Sequence, residues 1–560
     1  MSLPTPALVS QRAAQRLPRT ALLLFCAAYV LPGLFGRDPW RNADLSAFGY
    51  MLSLARGAAD PLMPTIAGLP ADGALLPYWL GAASIELLGP LLAAAPAARV
   101  PFALLLIGVL VFTWYSTYHL ARTEAAQPLP FAFGGEAAPI DYARAIADGA
   151  LLALMATLGL LQLGHETTPE LVQLFATALF LYAMAASPWR AARSRAAVLI
   201  ALPMLAVSGA PSIGVGFAAA GLAVSLRSSY PQARSFAIWI AAAALLAAMA
   251  ATAIGAWAWR LELPSDWGDA LRLLGWFAWP AWALAAWTLW RWRAHALHRH
   301  IAVPLSVLLV ALAACIGMRA SDRALMLALP ALAVLAAFAL PTLQRSMSAA
   351  IDWFSVAFFS LGAIAIWVIY ASLQLGVPAK PAQNIARLAP GYPGGFSLWA
   401  LLVGLVATLA WLLLVRWRTG RHQQALWKSL VLPASGLTLC WLLLMTLLLP
   451  VLDYARSYRP LVEHIARHVP DHACVATIGL QTGQLAALEY HGGWRVEALG
   501  AASSDCGYLL APGRVGMPAD ELQRDGWLLV ARERRPTERD DETVVYRRSK
   551  PAEAGTGTAR

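Results

Sequence analysis

The chain has 560 residues, 59% of them hydrophobic and 13% charged, with a net charge of +11. A soluble domain is about 45–50% apolar and about 25% charged, so soluble cores alone cannot hide this much apolar surface, and most of the chain needs lipid as its solvent. Nucleic-acid binding is excluded too: residues 453–560 hold 14 Lys/Arg and 15 Asp/Glu, a net of −1, while residues 1–452 hold 28 and 16, a net of +12. The basic charge sits between hydrophobic stretches, where it orients a membrane protein, and forms no stripe on a soluble face.

Hydropathy predicts thirteen spans, at 20–36, 99–118, 144–164, 169–187, 196–209, 212–226, 235–258, 271–290, 301–318, 324–342, 353–375, 397–415 and 429–450. The pair 196–209 and 212–226 reads as two short helices or as one helix bent at Gly209 and Pro211. The first span follows a basic segment without a small-residue cleavage pattern and reads as retained rather than as a signal peptide. One set of loops carries 18 basic residues, among them Arg12, Arg122, Arg190, Arg291 and Arg416, and the opposite set carries 10. The richer side is expected in the cytoplasm. This places the N-terminus inside, and loop 37–98 and everything after the last span outside.

The first outside loop is much less polar than a solvated loop. Within it, "LSAFGYMLSLARG" and "LLPYWLGAASIELLG" read as amphipathic helices lying along the membrane surface. The second outside loop, "GHETTPEL", gathers His165, Glu166 and Glu170, which suit a sugar or a metal; Glu170 after Pro169 equally suits a helix start. Arg260, Arg319 and Arg323 stand at other outside loops, either as guanidinium forks for a phosphate or as interface anchors. His295, His298 and His300 stand among arginines on the basic side and read as a solvated loop rather than a metal site.

From residue 453 the composition changes. "DYARSYRPLVEHIARHV" has helical spacing, and "ACVATIGL", "WRVEAL", "CGYLLAP", "GWLLVARER" and "TVVYRRS" read as strands, giving a small α/β domain over 453–550 and a disordered tail at 551–560. Cys26, Cys315 and Cys440 fall in spans, while Cys474 and Cys506 fall in this outside domain, as a disulfide or as two buried thiols.

Arg37-Asp38-Pro39-Trp40, then Asp44, Phe48-Gly49 and Met51, Gly68 and Pro70, Pro77-Tyr78-Trp79-Leu80 and a closing Leu-Gly resemble the first periplasmic loop of GT-C membrane glycosyltransferases. The nearest resemblance is to the aminoarabinose transferases of lipid A and the protein mannosyltransferases. It implies an all-α polytopic fold of about thirteen spans over 1–452, with a small periplasmic α/β domain after it, in a bacterial inner membrane. The implied activity is transfer of a sugar from a polyprenyl (undecaprenyl) phosphate carrier to an acceptor on the outer face, a glycolipid such as lipid A or a protein. The family's acidic pair falls on Ala43 and Asp44, so one acid remains; its Lys before Pro-Tyr-Trp and its Tyr near the tenth span have no counterpart here.

On this resemblance Asp44 is the candidate catalytic residue, a base when the acceptor is a hydroxyl and an orienting group when it is a phosphate. Read without the resemblance, Asp44 caps the helix that follows. Arg37, Asp38, Trp40, Tyr78 and Trp79 are the implied substrate-binding residues of the same loop. The chain has no Walker loop, Rossmann fingerprint, HExxH or CxxC, so no nucleotide cofactor is expected with a lipid-linked donor, and no motif calls for a metal, although a divalent ion is compatible with the fold class. Competing readings are a protein or polysaccharide glycosyltransferase, a polyprenyl-lipid transporter, and a lipid-binding paralogue without catalysis. A transporter would show inverted repeats and charged midplane helices, and neither is visible.

Overall fold

The computed structural model describes residues 5–40, 42–258, 261–420, 425–498, 505–513, 526–538 and 542–549. Its contacts divide the chain into two compact units. The first comprises Met1–Gly36, Asp72–Pro378 and Gly395–Leu449, and the second Arg37–Ala71, Ala379–Gly394 and Pro450–Arg560.

The first unit is built of helices. Among the described residues, eight are long and apolar enough to cross a membrane: Ala94–Ala121, Pro169–Ala186, Pro231–Ala253, Arg299–Gly317, Asp322–Thr342, Arg345–Leu375, Leu398–Thr419 and Lys428–Leu447. The protein is a multi-pass membrane protein. The other five expected spans are also helical but short or interrupted. Arg19–Val30 has 12 residues, and Pro139–Met155 stops before Thr157 and resumes as Leu158–Leu163. The expected span at 271–290 breaks between Trp267–Phe277 and Ala281–Arg291, where Pro280 supplies no N–H to a continuous helix. Ala191–Val207 and Pro211–Leu226 are two helices rather than one bent rod, since Gly214 lies beside Leu202 and Leu205, which a continuous helix would hold more than two turns away. Asp322–Thr342 is almost wholly enclosed.

The histidine stretch differs from expectation. His295 and His300 are buried, and the His300 ring lies 4.9 Å from Trp292 and 5.3 Å from Phe338. Trp292 itself is buried and donates to the Phe338 carbonyl at 3.1 Å, so an aromatic cluster draws the histidines out of water.

In the second unit, the helix Ala43–Ala55 is buried along most of its circumference, so it is not a half-exposed helix lying on a membrane surface. It packs against the helix Thr482–His491, with Gly49 against Ala486. Next comes a two-residue hairpin, β1 (Thr65–Ile66) and β2 (Leu69–Pro70), turning through Ala67 and Gly68 at φ 52° and 86°. Both turn positions are left-handed, which is why a glycine precedes Leu69 and Pro70.

The α/β part has β3 (Cys474–Thr477), β4 (Arg495–Glu497), β5 (Tyr508–Pro512), β6 (Trp527–Arg534) and β7 (Glu542–Arg548) in the order β4-β3-β5-β7-β6. β3 runs parallel to β4 and β5, and β7 antiparallel to β5 and β6. All five expected strands form. The expected helix at 453–469 is instead two, Leu449–Arg456 and Arg459–Ile465, because Pro460 starts a new helix after Ser457 and Tyr458. Cys474 at the start of β3 and Cys506 two residues before β5 form a disulfide, with Cα atoms 4.8 Å apart.

Candidate functional site

The Arg-Asp-Pro-Trp segment lies in the second unit just before the helix Ala43–Ala55. Asp44 is in that helix's first turn, but it does not cap it; Asn42 occupies the N-cap position. The Asp44 carboxylate points backward instead. Its Oδ2 accepts from Arg37 Nη1 at 3.0 Å and from the Trp40 backbone N–H at 3.1 Å. Arg37 and Asp44 side chains are 2% and 1% exposed, so this is a buried ion pair that fixes the turn.

Trp40 is also buried, with the guanidinium groups of Arg37 and Arg456 at 4.7 and 4.8 Å from its ring. Its indole N–H donates to Asp453 Oδ1 at 2.9 Å, and the same oxygen accepts the Asp38 backbone N–H at 2.9 Å. The Asp38 carboxylate accepts from Ser457 Oγ at 2.8 Å and from Arg459 Nε and Nη2 at 2.9 and 2.5 Å, a two-pronged pair. His491 Nε2 stands 4.0 Å from Asp38.

These neighbours set the titration of the cluster. Burial alone would raise Asp38; the Arg459 hydrogen bonds, the His491 charge and Ser457 outweigh it and hold the carboxyl below its ordinary value. Asp453 is pushed up, first by burial and then by the Asp38 charge beside it. Burial pushes His491 down to about 4, so its ring is neutral at pH 7.

A second group of sequence candidates meets within the first unit. Glu166 lies in the turn before Pro169–Ala186, and Glu170 in that helix's first turn. Arg323 reaches both from the helix Asp322–Met326, with Nη2 2.6 Å from Glu166 and Nη1 3.5 Å from Glu170. Gln162 holds the other Glu166 oxygen at 3.0 Å. Three of the residues picked from separate loops thus form one charged cluster. The His165 ring nitrogens meet the Leu161 and Tyr29 carbonyls at 2.6 and 3.1 Å, and its ring lies 4.8 Å from Trp441.

Arg319 is not part of that cluster; it pairs with Glu262 at 2.5 Å where both are more than half exposed. Tyr78 is buried and Trp79 36% exposed on the helix Leu76–Leu88, in the first unit, whereas Arg37, Asp38, Trp40 and Asp44 belong to the second. Arg260 lies outside the described residues.

Sequence reasoning missed Asp453, Arg456, Ser457, Arg459 and His491, which complete the Asp38 and Trp40 surroundings. The available signal was the dense charge of "DYARSYR" directly after the last apolar span. It also missed Arg99, buried in the first turns of Ala94–Ala121 and donating to the Leu34 carbonyl at 3.2 Å; an arginine sunk into so apolar a helix is costly and marks a constrained place. Among the described residues, the one grouping with ligand-like spacing is Cys474, Glu497 and Cys506, and the disulfide removes its thiolates as ligands.

Spanning helices in one unit and a mixed five-stranded sheet in the other define a polytopic membrane protein of the GT-C fold. Two solved structures share it. ArnT from Cupriavidus metallidurans bound to undecaprenyl phosphate superposes with a TM-score of 0.60 at 14% identity, over 95% of this chain and 98% of that one. ArnT from the same organism in the apo state gives 0.61 at 15% identity, over 94% and 98%. No protein-family model and no curated protein matches the sequence. The likeness is one of fold.

Proposed function

We propose that the protein is a glycosyltransferase of a bacterial inner membrane, with its N-terminus in the cytoplasm and its C-terminal α/β domain in the periplasm. It takes a sugar from a polyprenyl phosphate such as undecaprenyl phosphate and transfers it to an acceptor at the periplasmic face, a glycolipid such as lipid A. The observation that carries this reading is the shared fold, over 95% of the chain, with an ArnT structure that holds undecaprenyl phosphate. Residues 1–452 are the membrane domain and 453–550 the α/β domain; the tail at 551–560 lies outside the described residues. The carrier phosphate is the leaving group, so cations must meet it; Arg260, Arg319 and Arg323 are proposed for that, and Glu166 and Glu170 for placing the sugar. Asp44 is the proposed base of the transfer when the acceptor is a hydroxyl, and an orienting group when it is a phosphate. Arg37, Asp38 and Trp40, with Tyr78, Trp79 and His165, are proposed to shape the substrate site.

A second reading, a lipid-binding paralogue without catalysis, is favoured by one observation: the Asp44 oxygen proposed for chemistry is already engaged by Arg37 and the Trp40 N–H. Mass spectrometry of lipid A and other envelope glycans from cells with and without the protein separates the two. Loss of one hexose, aminosugar or pentose from lipid A is expected. Loss from a protein or polysaccharide instead would change the acceptor, and unchanged profiles would overturn the transferase reading.

A further inference from the structure

Within the first unit lies an apolar groove of about 640 Å³, within the usual size range of ligand sites. Trp276, Trp279, Trp287, Trp290, Phe354 and Phe358 line it, together with small side chains such as Ala286 and Ala350. On the helix Arg345–Leu375 the lining runs from Met347 to Phe359, about 18 Å at 1.5 Å per residue. One leaflet's share of a roughly 30 Å hydrocarbon core is about 15 Å. The groove is therefore as long as the acyl chains of one leaflet and much shorter than a polyprenyl tail laid out straight.

One end of the groove is basic. Trp290 precedes exposed Arg291, and exposed Arg345 stands two residues before Met347. Arg293 donates to the Trp290 carbonyl at 3.1 Å and holds its guanidinium 5.8 Å from that ring. Trp287 donates to Thr342 at 3.0 Å, which ties the helix carrying Arg291 to the segment leading into Arg345. The acid on that last helix, Asp352, is held by Arg418. Apolar walls one leaflet long, ending at three arginines, match a lipid with an anionic headgroup in both shape and charge.

We propose that this groove is a binding site for an anionic diacyl phospholipid, its acyl chain along the tryptophan and phenylalanine walls and its phosphate at Arg291, Arg293 and Arg345. The proposal does not depend on transfer chemistry. The test is native mass spectrometry of the purified full-length chain after equal exposure to phosphatidylglycerol, phosphatidylethanolamine and undecaprenyl phosphate. Phosphatidylglycerol should be retained over phosphatidylethanolamine by about fivefold or more, the contribution of roughly one arginine near an anionic headgroup. Replacing Arg291, Arg293 and Arg345 together by Gln should level the two phospholipids. Ala350→Trp, which fills the groove, should remove the phosphatidylglycerol adduct. Should Ala350→Trp fail to elute as a single folded species, Ala286→Trp fills the groove from the helix Ala281–Arg291 and the arginine variant still reads the headgroup. Equal retention of the two phospholipids by the unmodified chain, a filled groove that still binds phosphatidylglycerol, or undecaprenyl phosphate as the adduct lost on filling would each overturn the proposal.

Discussion

At the scale of the residue, the structure changes what a substitution at Asp44 reports. Read as a helix cap, Asp44 could become Asn at no cost, since Asn caps as well as Asp. Asp44 is instead the partner of a buried Arg37, and removing one member of a buried ion pair costs about 3–5 kcal/mol. Asp44→Asn should therefore lower stability, and transfer must be measured per folded molecule at a temperature where the variant stays folded. Arg37→Met and the double variant complete the cycle: the double should recover part of the stability, because no lone charge is left buried. If Asp44 carries the transfer, folded Asp44→Asn should lose about 10²-fold or more in rate, the range for a lost general base. Near-normal transfer by that protein would remove Asp44 from the mechanism and turn attention to Glu166 and Glu170.

At the scale of the element, what was legible in the sequence was whatever a short window encodes. Each strand of the β4-β3-β5-β7-β6 sheet shows as a brief β-branched or apolar run, and each long span as uninterrupted hydropathy. The helix Thr482–His491 was not legible, because its buried side, Leu485 to Leu488, is barely one turn long and its cap is an uncommon Gln481–Gln484 box. The candidate site divides in the same way. Arg37 to Asp44 was readable as a local motif, but Asp38 finds Asp453, Ser457 and Arg459 more than 400 residues away, and no local pattern announces such a pairing. Nor did a window show why Gly49 sits inside a helix. Propensity alone says Ala would improve that helix by about 1 kcal/mol. The structure says otherwise, since a Cβ there would stand 2.6 Å from the Ala486 Cβ and 2.8 Å from Ile66 Cδ1. Gly49→Ala should therefore destabilise the second unit by about 1–3 kcal/mol, as overpacking does. Faster limited proteolysis in the 43–71 and 482–498 regions is the readout, and slower cleavage would mean that propensity wins.

At the scale of the whole molecule, the two sides of the membrane can be argued from which loops touch. Charge asymmetry placed 37–98, the 376–396 connection and everything after 450 on one side. The second unit is assembled from Arg37–Ala71, Ala379–Gly394 and Pro450–Arg560, and segments packed into one compact unit must lie on one side of a bilayer. Ion pairs between loops obey the same parity. Arg323 with Glu166 and Glu170, and Arg319 with Glu262, join loops expected outside, while Arg418 with Asp352 joins helix ends expected inside. An error of one span anywhere between residues 71 and 379 would break this agreement, because it would send Ala379–Gly394 and Arg37–Ala71 to opposite faces. The four short or interrupted helices between residues 71 and 379 must therefore cross, re-enter or pair so that the parity is kept, even though none is long enough by itself. Reporter fusions after residues 300 and 420 should then read cytoplasm, and fusions after 390 and 460 periplasm. A cytoplasmic signal at 460 with a periplasmic one at 390 would contradict the second unit itself, whereas reversal of all four would leave the fold intact and invert only the orientation drawn from the basic loops.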